Sequence, residues 1–233
     1  MVEQSMVRIG AFTVGLNTAE HWVRRFFDES NNRAIAASRG KARPYAYPVY
    51  DRFQAGSGAS ELSDGDFLAP ALLNAGLSIR AVFNLQVVRS QLEEALAAIP
   101  VALTLVEAAA KGTHTQLLVD LFGVLDGPTP ILDVGLTKLS KILHRKRPSL
   151  IPLYDSKVKA CYCGTSSRHP VKPVSNSAPD GLFYAAVATC IARDLADQPD
   201  QWKHLKAVAP ADVSLLRVFD VVAWELGASR RDV

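Results

Sequence analysis

Apolar residues recur along this chain at the spacing of a helix and almost nowhere at the alternation of a strand. Leu215, Val218, Phe219, Val222 and Leu226 share one helical face, with Gly227 a natural stop. Leu117, Leu118, Leu121, Phe122 and Leu125 form a second stripe after Thr113. Val88, Leu92, Ala95, Leu96 and Ile99 form a third, which Pro100 ends. Asn17 and Thr18 can cap a helix through Trp22, Phe26 and Phe27. Ser63 and Asp66 resemble a capping box that opens a helix through Phe67, Ala71 and Leu72, with Pro70 inside it. Gly181 to Ala196 reads as a further helix. Tyr45 to Tyr50 and Ile79 to Leu85 are the weak strand-like runs. Stripes of this kind are buried helix against helix, so the expected fold class is all-α, with about nine or ten helices.

The chain has 233 residues, which fits one domain or two lobes sharing a core across 1–233. Hydrophobic residues make up 48% and charged residues 21%, which excludes global disorder and supplies a core without disulfides or metals. The longest mostly apolar run, Ala95 to Val106, is twelve residues interrupted by Pro100, too short to cross a bilayer. Met1 to Gly15 has no basic start followed by an apolar stretch, so no signal peptide is read there. Cys161, Cys163 and Cys190 are too few for a disulfide scaffold, and a cytoplasmic protein is expected. Asn31 to Gln54 reads as irregular. Residues 164–180 hold three prolines and four serines and are expected to form a flexible loop.

Charge is concentrated in one place. Lys138, Lys141, Arg145, Lys146, Arg147, Lys157 and Lys159 stand within 22 residues, and Asp155 is the only acid among them. That stretch carries +6 while the whole chain carries +3, so the remainder is net negative. It reads LDVGLTKLSKILHRKRPSLIPLYDSKV from Leu132 to Val158. A turn at Val134-Gly135 is followed by a helix from about Leu136 to Arg145. Pro148 and Pro152 bound an extended link, and Asp155 then opens another helix as its N-cap. A glycine turn beside lysines is suited to phosphate: N–H groups point outward and the cations neutralise charge.

As a whole, residues 123–160 resemble the helix-hairpin-helix (HhH-GPD type) DNA glycosylase superfamily. Its hairpin has the form L-P-G-V-G-x-x-T-A, and here Ile131-Leu132-Asp133-Val134-Gly135 stands in that place. Asp155 follows Gly135 by twenty residues, as the superfamily's essential Asp does, and Pro152 precedes it. Leu132 replaces the hairpin proline, and Asp133 replaces the first hairpin glycine, which predicts a distorted turn. Thr137 occupies the position of the Schiff-base lysine of bifunctional members, with Lys138 one place later. The four-cysteine iron–sulfur motif of some members is absent. The whole chain also resembles an uncharacterised, mainly actinobacterial protein family, through KILHRKRPSLIPLYDS and LLRVFDVVAWELG.

The resemblance implies a two-lobed helical fold and a monofunctional hydrolase of base excision repair. Duplex DNA is the implied partner, with no cofactor and no metal, in a bacterial cytoplasm and at the nucleoid. Asp155 would stabilise positive charge on the sugar as the glycosidic bond breaks, with Lys138 beside it or on phosphate. Val134, Gly135, Thr137, Lys141, Arg145, Lys146 and Arg147 would contact DNA, and Tyr154 would wall the pocket. Two readings of Asp155 stand side by side, a plain N-cap and a cap that also catalyses. A non-catalytic helix-hairpin-helix DNA-binding module is the alternative for the chain. Elsewhere, Cys161-x-Cys163 with His169 is half of a zinc pattern without its second pair. His144 is expected to meet phosphate or solvent. Arg217 and Asp220 can pair at i, i+3.

Overall fold

Val7 and Ile9 alternate with Arg8, and Gly10 can take the positive φ of a tight turn. In the computed structural model, which describes residues 5–38, 47–128, 131–173 and 179–229, these residues form a hairpin. Strand β1 (Met6–Ile9) pairs antiparallel with β2 (Phe12–Gly15), Ile9 opposite Phe12, around Gly10 at φ 57°. The expectation of an all-α chain is corrected to a mostly helical one with a small N-terminal hairpin. Four-residue strands are too short to register as an alternating pattern.

Thirteen α-helices follow among the described residues, more and shorter than expected. First come α1 (Leu16–Phe27), α2 (Glu29–Ala37) and α3 (Tyr47–Arg52). The stretch read as irregular is therefore partly helical, because Asp28 caps α2 by accepting from the Ser30 and Asn31 N–H groups. Tyr47 to Tyr50 and Ile79 to Leu85, read as strand-like, are helical, and Tyr45 and Ala46 lie outside the described residues. The Ser63–Asp66 capping box is present and opens α4 (Asp64–Leu68). Pro70 then forces a 3-10 turn over Ala69–Leu73, and Asn74 at φ 55° ends it. Next are α5 (Ile79–Val87), α6 (Arg89–Ala97), α7 (Leu105–Ala110) and α8 (His114–Phe122). After a 3-10 turn at Gly123–Asp126 come α9 (Leu136–His144), α10 (Ser156–Tyr162), α11 (Asp180–Ala196), α12 (Pro199–Ala207) and α13 (Leu215–Ser229). No helix among the described residues is long and apolar enough to cross a membrane.

Helix α11 packs on α7 and α8, while α13 packs on α1, α10 and α12. One continuous apolar core runs through both groups, with Phe122, Tyr162, Tyr184, Trp202 and Phe219 buried in it. Each such side chain contributes about 1.5–3 kcal/mol by leaving water. Gly227 lies inside α13 and does not stop it. Its role is close packing: a Cβ there would stand 2.4 Å from the Lys157 carbonyl oxygen of α10. Asp194 of α11 binds the hairpin to two helices. It accepts from Arg8 Nε (3.0 Å), the Gly10 N–H (2.6 Å) and the Tyr162 hydroxyl (2.7 Å), and its own carbonyl accepts from Trp202 Nε1.

The first half of the 164–180 loop is held by hydrogen bonds. The Gly164 N–H donates to Val171 O and the Val171 N–H to Tyr162 O. Residues 174–178 lie outside the described residues.

Candidate functional site

The turn before α9 is built by short-range bonds. Asp133 takes φ 64°, the left-handed conformation open to glycine and tolerated by Asp. The Asp side chain therefore adopts the backbone that a glycine would supply, and the expected distortion is corrected. Its carboxylate accepts from Ser78 Oγ at 2.7 Å, and its carbonyl from Lys138 Nζ at 2.6 Å. Asn84 Nδ2 donates to the Leu132 carbonyl. Val134 is buried, so it can offer only backbone. Gly135 sits at the N-cap of α9 with extended backbone, and no side chain caps the helix's first turn. A Cβ at Gly135 would meet nothing within 4 Å, so the helix start faces open space.

Asp155 caps α10 as expected. Its Oδ1 accepts the N–H groups of Lys157 (2.7 Å) and Val158 (3.1 Å). Its Oδ2 accepts no hydrogen bond among the described residues. Beside it opens a cleft of about 950 Å³, also lined by Gly135, Thr137, Lys138, Tyr154, Lys159 and Phe183. Tyr154 is nearly buried and meets Phe183 edge to face, with ring centroids 6.0 Å apart. Leu153 does not fill this space, because it packs with Tyr50 and Ala69 in a small separate cluster. Cys163 also lines the cleft, and burial pushes its thiol up to about 11, so it stays protonated near neutral pH.

The rest of the basic run is placed differently from the expectation of phosphate contact. Arg147 is 1% exposed and donates to the carbonyls of Ile99, Leu96, Ala59 and Lys146 and to Ser60 Oγ. Lys146 is 8% exposed, ion-paired with Asp66 at 2.9 Å and bonded to Ser57 Oγ. Arg145 donates to the carbonyls of Tyr50 and Phe53 and lies over both rings. Lys141 is 4% exposed. For these four the expected DNA contact is corrected to an interior role. Arg145, Lys146 and Arg147, just past the end of α9, turn inward to carbonyls and side chains of α3, the 54–60 loop, Asp66 and the end of α6, while Lys141 is simply enclosed. Thr137, Lys138 and Gly135 remain at the cleft.

Residues 19–227 match a family of unknown function, DUF6308. The chain belongs to DUF6308. The matched range takes in the turn, the cleft and Asp155, and leaves out the β-hairpin. No curated protein and no solved structure matches the chain.

Within this DUF6308 protein several cleft residues carry no local sequence signal. Asn74, Ala75 and Gly76 come from the link between α4 and α5, and Asp180 and Phe183 from α11. Only tertiary packing brings them to Asp155. Among the described residues no three or more His, Cys, Asp or Glu side chains are placed to hold a metal. Cys161 is buried and donates to the Ala223 carbonyl.

His144 is corrected from a surface group to a buried one. Its Nδ1 donates to the Ile151 carbonyl at 2.6 Å, and its ring stacks on Tyr50. Burial holds the imidazole neutral and lowers its pKa from 6.5 to about 3. The unfolded chain therefore binds a proton at His144 that the folded chain refuses, and stability falls as pH drops from 6.5 toward 3. Asp220 acts in the opposite direction, since burial pushes its carboxyl up from 3.8 to about 6. Its window is narrower, so the His144 loss wins. Urea midpoints measured from pH 7 down to 4 are expected to fall. They are expected to fall more steeply in Asp220→Asn, and a flat profile in both would refute the assignment.

Proposed function

We propose that this DUF6308 protein binds duplex DNA and removes a damaged or modified base by hydrolysing its N-glycosidic bond. The scaffold would be the two-lobed helical one of the helix-hairpin-helix glycosylases. The observation that supports this reading is the free oxygen of Asp155, a residue that lines, with Tyr154 and Phe183, a cleft of about 950 Å³. A base inside a duplex is unreachable, so an excising enzyme turns it out into a pocket with apolar and aromatic walls. As the glycosidic bond breaks, positive charge develops on the sugar. A carboxylate at that place stabilises it, and water adds to the sugar carbon while the base departs with the bonding electrons. Gly135 and the uncapped start of α9 would take a phosphate beside the lesion, with Lys138 and Lys159 supplying charge.

A second reading, a DNA-binding module without catalysis, has its own support. Asp155 already has a structural task as a helix cap, and four of the basic residues face inward.

The deciding experiment compares binding to a duplex holding an abasic-site analogue with binding to the same intact duplex, across a salt series. The glycosylase reading expects preference for the analogue, weakened by Lys138→Ala. Equal affinity with a steep salt slope would favour the module. No binding at low salt would refute both.

A further inference from the structure

The cleft beside Asp155 is poorly charged for a polyanion. Its lining sets three carboxylates, Asp133, Asp155 and Asp180, against two lysines, Lys138 and Lys159, a net of −1. Lys141, Arg145, Lys146 and Arg147 do not offset it, because they face the interior. The missing charge stands in the segment that follows. From Ser156 to Pro179 the chain has no acidic residue, and it has Lys157, Lys159, Arg168 and Lys172. Lys159 is exposed and shares the cleft face of α10 with Ser156 and Cys163, at helical spacing.

Past Cys163 the chain doubles back on α10, held by the hydrogen bonds that join Tyr162 and Gly164 to Val171. His169 pins this return. Its Nε2 donates to the Ala160 carbonyl at 3.3 Å, and its ring meets Phe12 of the hairpin edge to face. Gly164 makes room for that ring, since a Cβ there would stand 2.6 Å from His169 Nδ1. The His169 N–H and Lys172 Nζ both donate to the Ser166 carbonyl, so Lys172 and Arg168 belong to one turn. Pro173, next to Lys172, reaches the cleft. Arg168 and Lys172 are exposed, and no carboxylate among the described residues pairs with either or with Lys159. The backbone is thus fixed while its cations stay unneutralised. Arg24, Arg33 and Arg52, exposed elsewhere, are each paired with a glutamate.

We infer that residues 159–173 form a basic arm at the rim of the cleft, on which Lys159, Arg168 and Lys172 dock the phosphate backbone of duplex DNA. This rests on reading the chain as a DNA-binding protein. Arg168 and Lys172 turn the charge around the cleft from −1 to +1. The carboxylates are then kept for the reacting sugar, and the rim meets the phosphates. Phosphate contacts position a duplex and carry no base information. The arm therefore serves intact and damaged sites alike, and the preference between them stays with the cleft.

The test is fluorescence anisotropy of the full chain with labelled duplexes, one intact and one holding an abasic-site analogue, across a salt series. Replacing Arg168 and Lys172 together by glutamine is expected to weaken both complexes at least about tenfold at about 0.1 M salt. The slope of log affinity against log salt should become shallower by about two, with the ratio of the two affinities unchanged. Both side chains are exposed, so the fold is retained. Arg168→Lys with Lys172→Arg keeps both charges and is expected to keep the slope. Lys111→Gln with Lys203→Gln removes the same charge from exposed positions outside the cleft lining and is expected to leave the slope alone. An equal loss in that control would reduce the effect to net charge and overturn the inference, as would an unmoved slope in the arm variant. Tighter capture by vesicles of anionic phospholipid than by duplex would overturn it too. Arm-dependent binding that is equal for both duplexes, with no base released, would overturn the glycosylase reading and leave the arm standing. Excision with an unmoved slope would do the reverse.

Discussion

Replacing Arg147 by alanine is expected to cost this protein at least about 3 kcal/mol of stability. The guanidinium makes five hydrogen bonds to the loop before α4, the end of α6 and the end of α9, four of them to backbone carbonyls. Among the described residues no carboxylate pairs with Arg147, so the group acts as a hub for main-chain acceptors and not as half of an ion pair. Deleting it leaves several carbonyls without donors in a dry interior, each at about 1–3 kcal/mol, and opens a cavity as well. Lysine does not rescue the loss, because a single ammonium cannot direct donors along the guanidinium's fixed fork. Whole domains of this size are stable by only about 5–15 kcal/mol, so the alanine variant stands near unfolding at ambient temperature. Urea denaturation of the two variants beside the parent measures this directly. A loss under about 1 kcal/mol in both would show that the loop carbonyls find other donors.

Asp155→Asn separates the two tasks of one side chain. Asparagine caps helices about as well as aspartate, so the stability change should stay under about 1 kcal/mol. What it lacks is negative charge. On the proposed chemistry the developing cation in the cleft then loses its main stabiliser, and base excision is expected to fall at least about 100-fold. Affinity for the abasic duplex should hold, since the turn at Val134-Gly135 and Lys138 are untouched. Single-turnover release of base from a panel of modified duplexes reads the rate, and a competition titration reads the affinity. A variant that excises at the parent's rate would remove Asp155 from the chemistry and return it to capping alone.

Which parts of this site could be read from sequence follows from the range of the interaction. The Ser63–Asp66 box and the Asp155 cap each involve a side chain and N–H groups within three residues, so residue type and spacing suffice. The helix from Leu136 was found to within a residue of its end for the same reason. Asp133 misleads because an absent glycine suggests a distorted turn. The backbone there needs a positive φ, and a short polar side chain can accept it when Ser78 and Lys138 bind to it. The basic run was misread for a different cause. Positive charge in a sequence suggests water or phosphate, yet the acceptors of Arg147 lie about 50 and 90 residues upstream and have no signature of their own. Phe183 reaches the cleft on a helix whose pattern speaks only of core.

The grip on α10 has a consequence for how the site comes into being. Ala11 donates to the Cys161 carbonyl at 2.9 Å, and a Cβ at Gly10 would stand 2.3 Å from that same oxygen. On the other side α13 lies against the Lys157 carbonyl at Gly227. The helix that Asp155 caps is thus clasped by the amino-terminal hairpin and by the last helix together. A nascent chain that has emerged only through Asp155 holds every residue of the hairpin turn, but no seat for the helix behind it. That seat is complete only once residues 215–229 have been made, so the placement of the Asp155 helix waits on the last helix of the chain. For the same reason residues 123–160 would not be expected to keep this arrangement when grafted alone onto another protein.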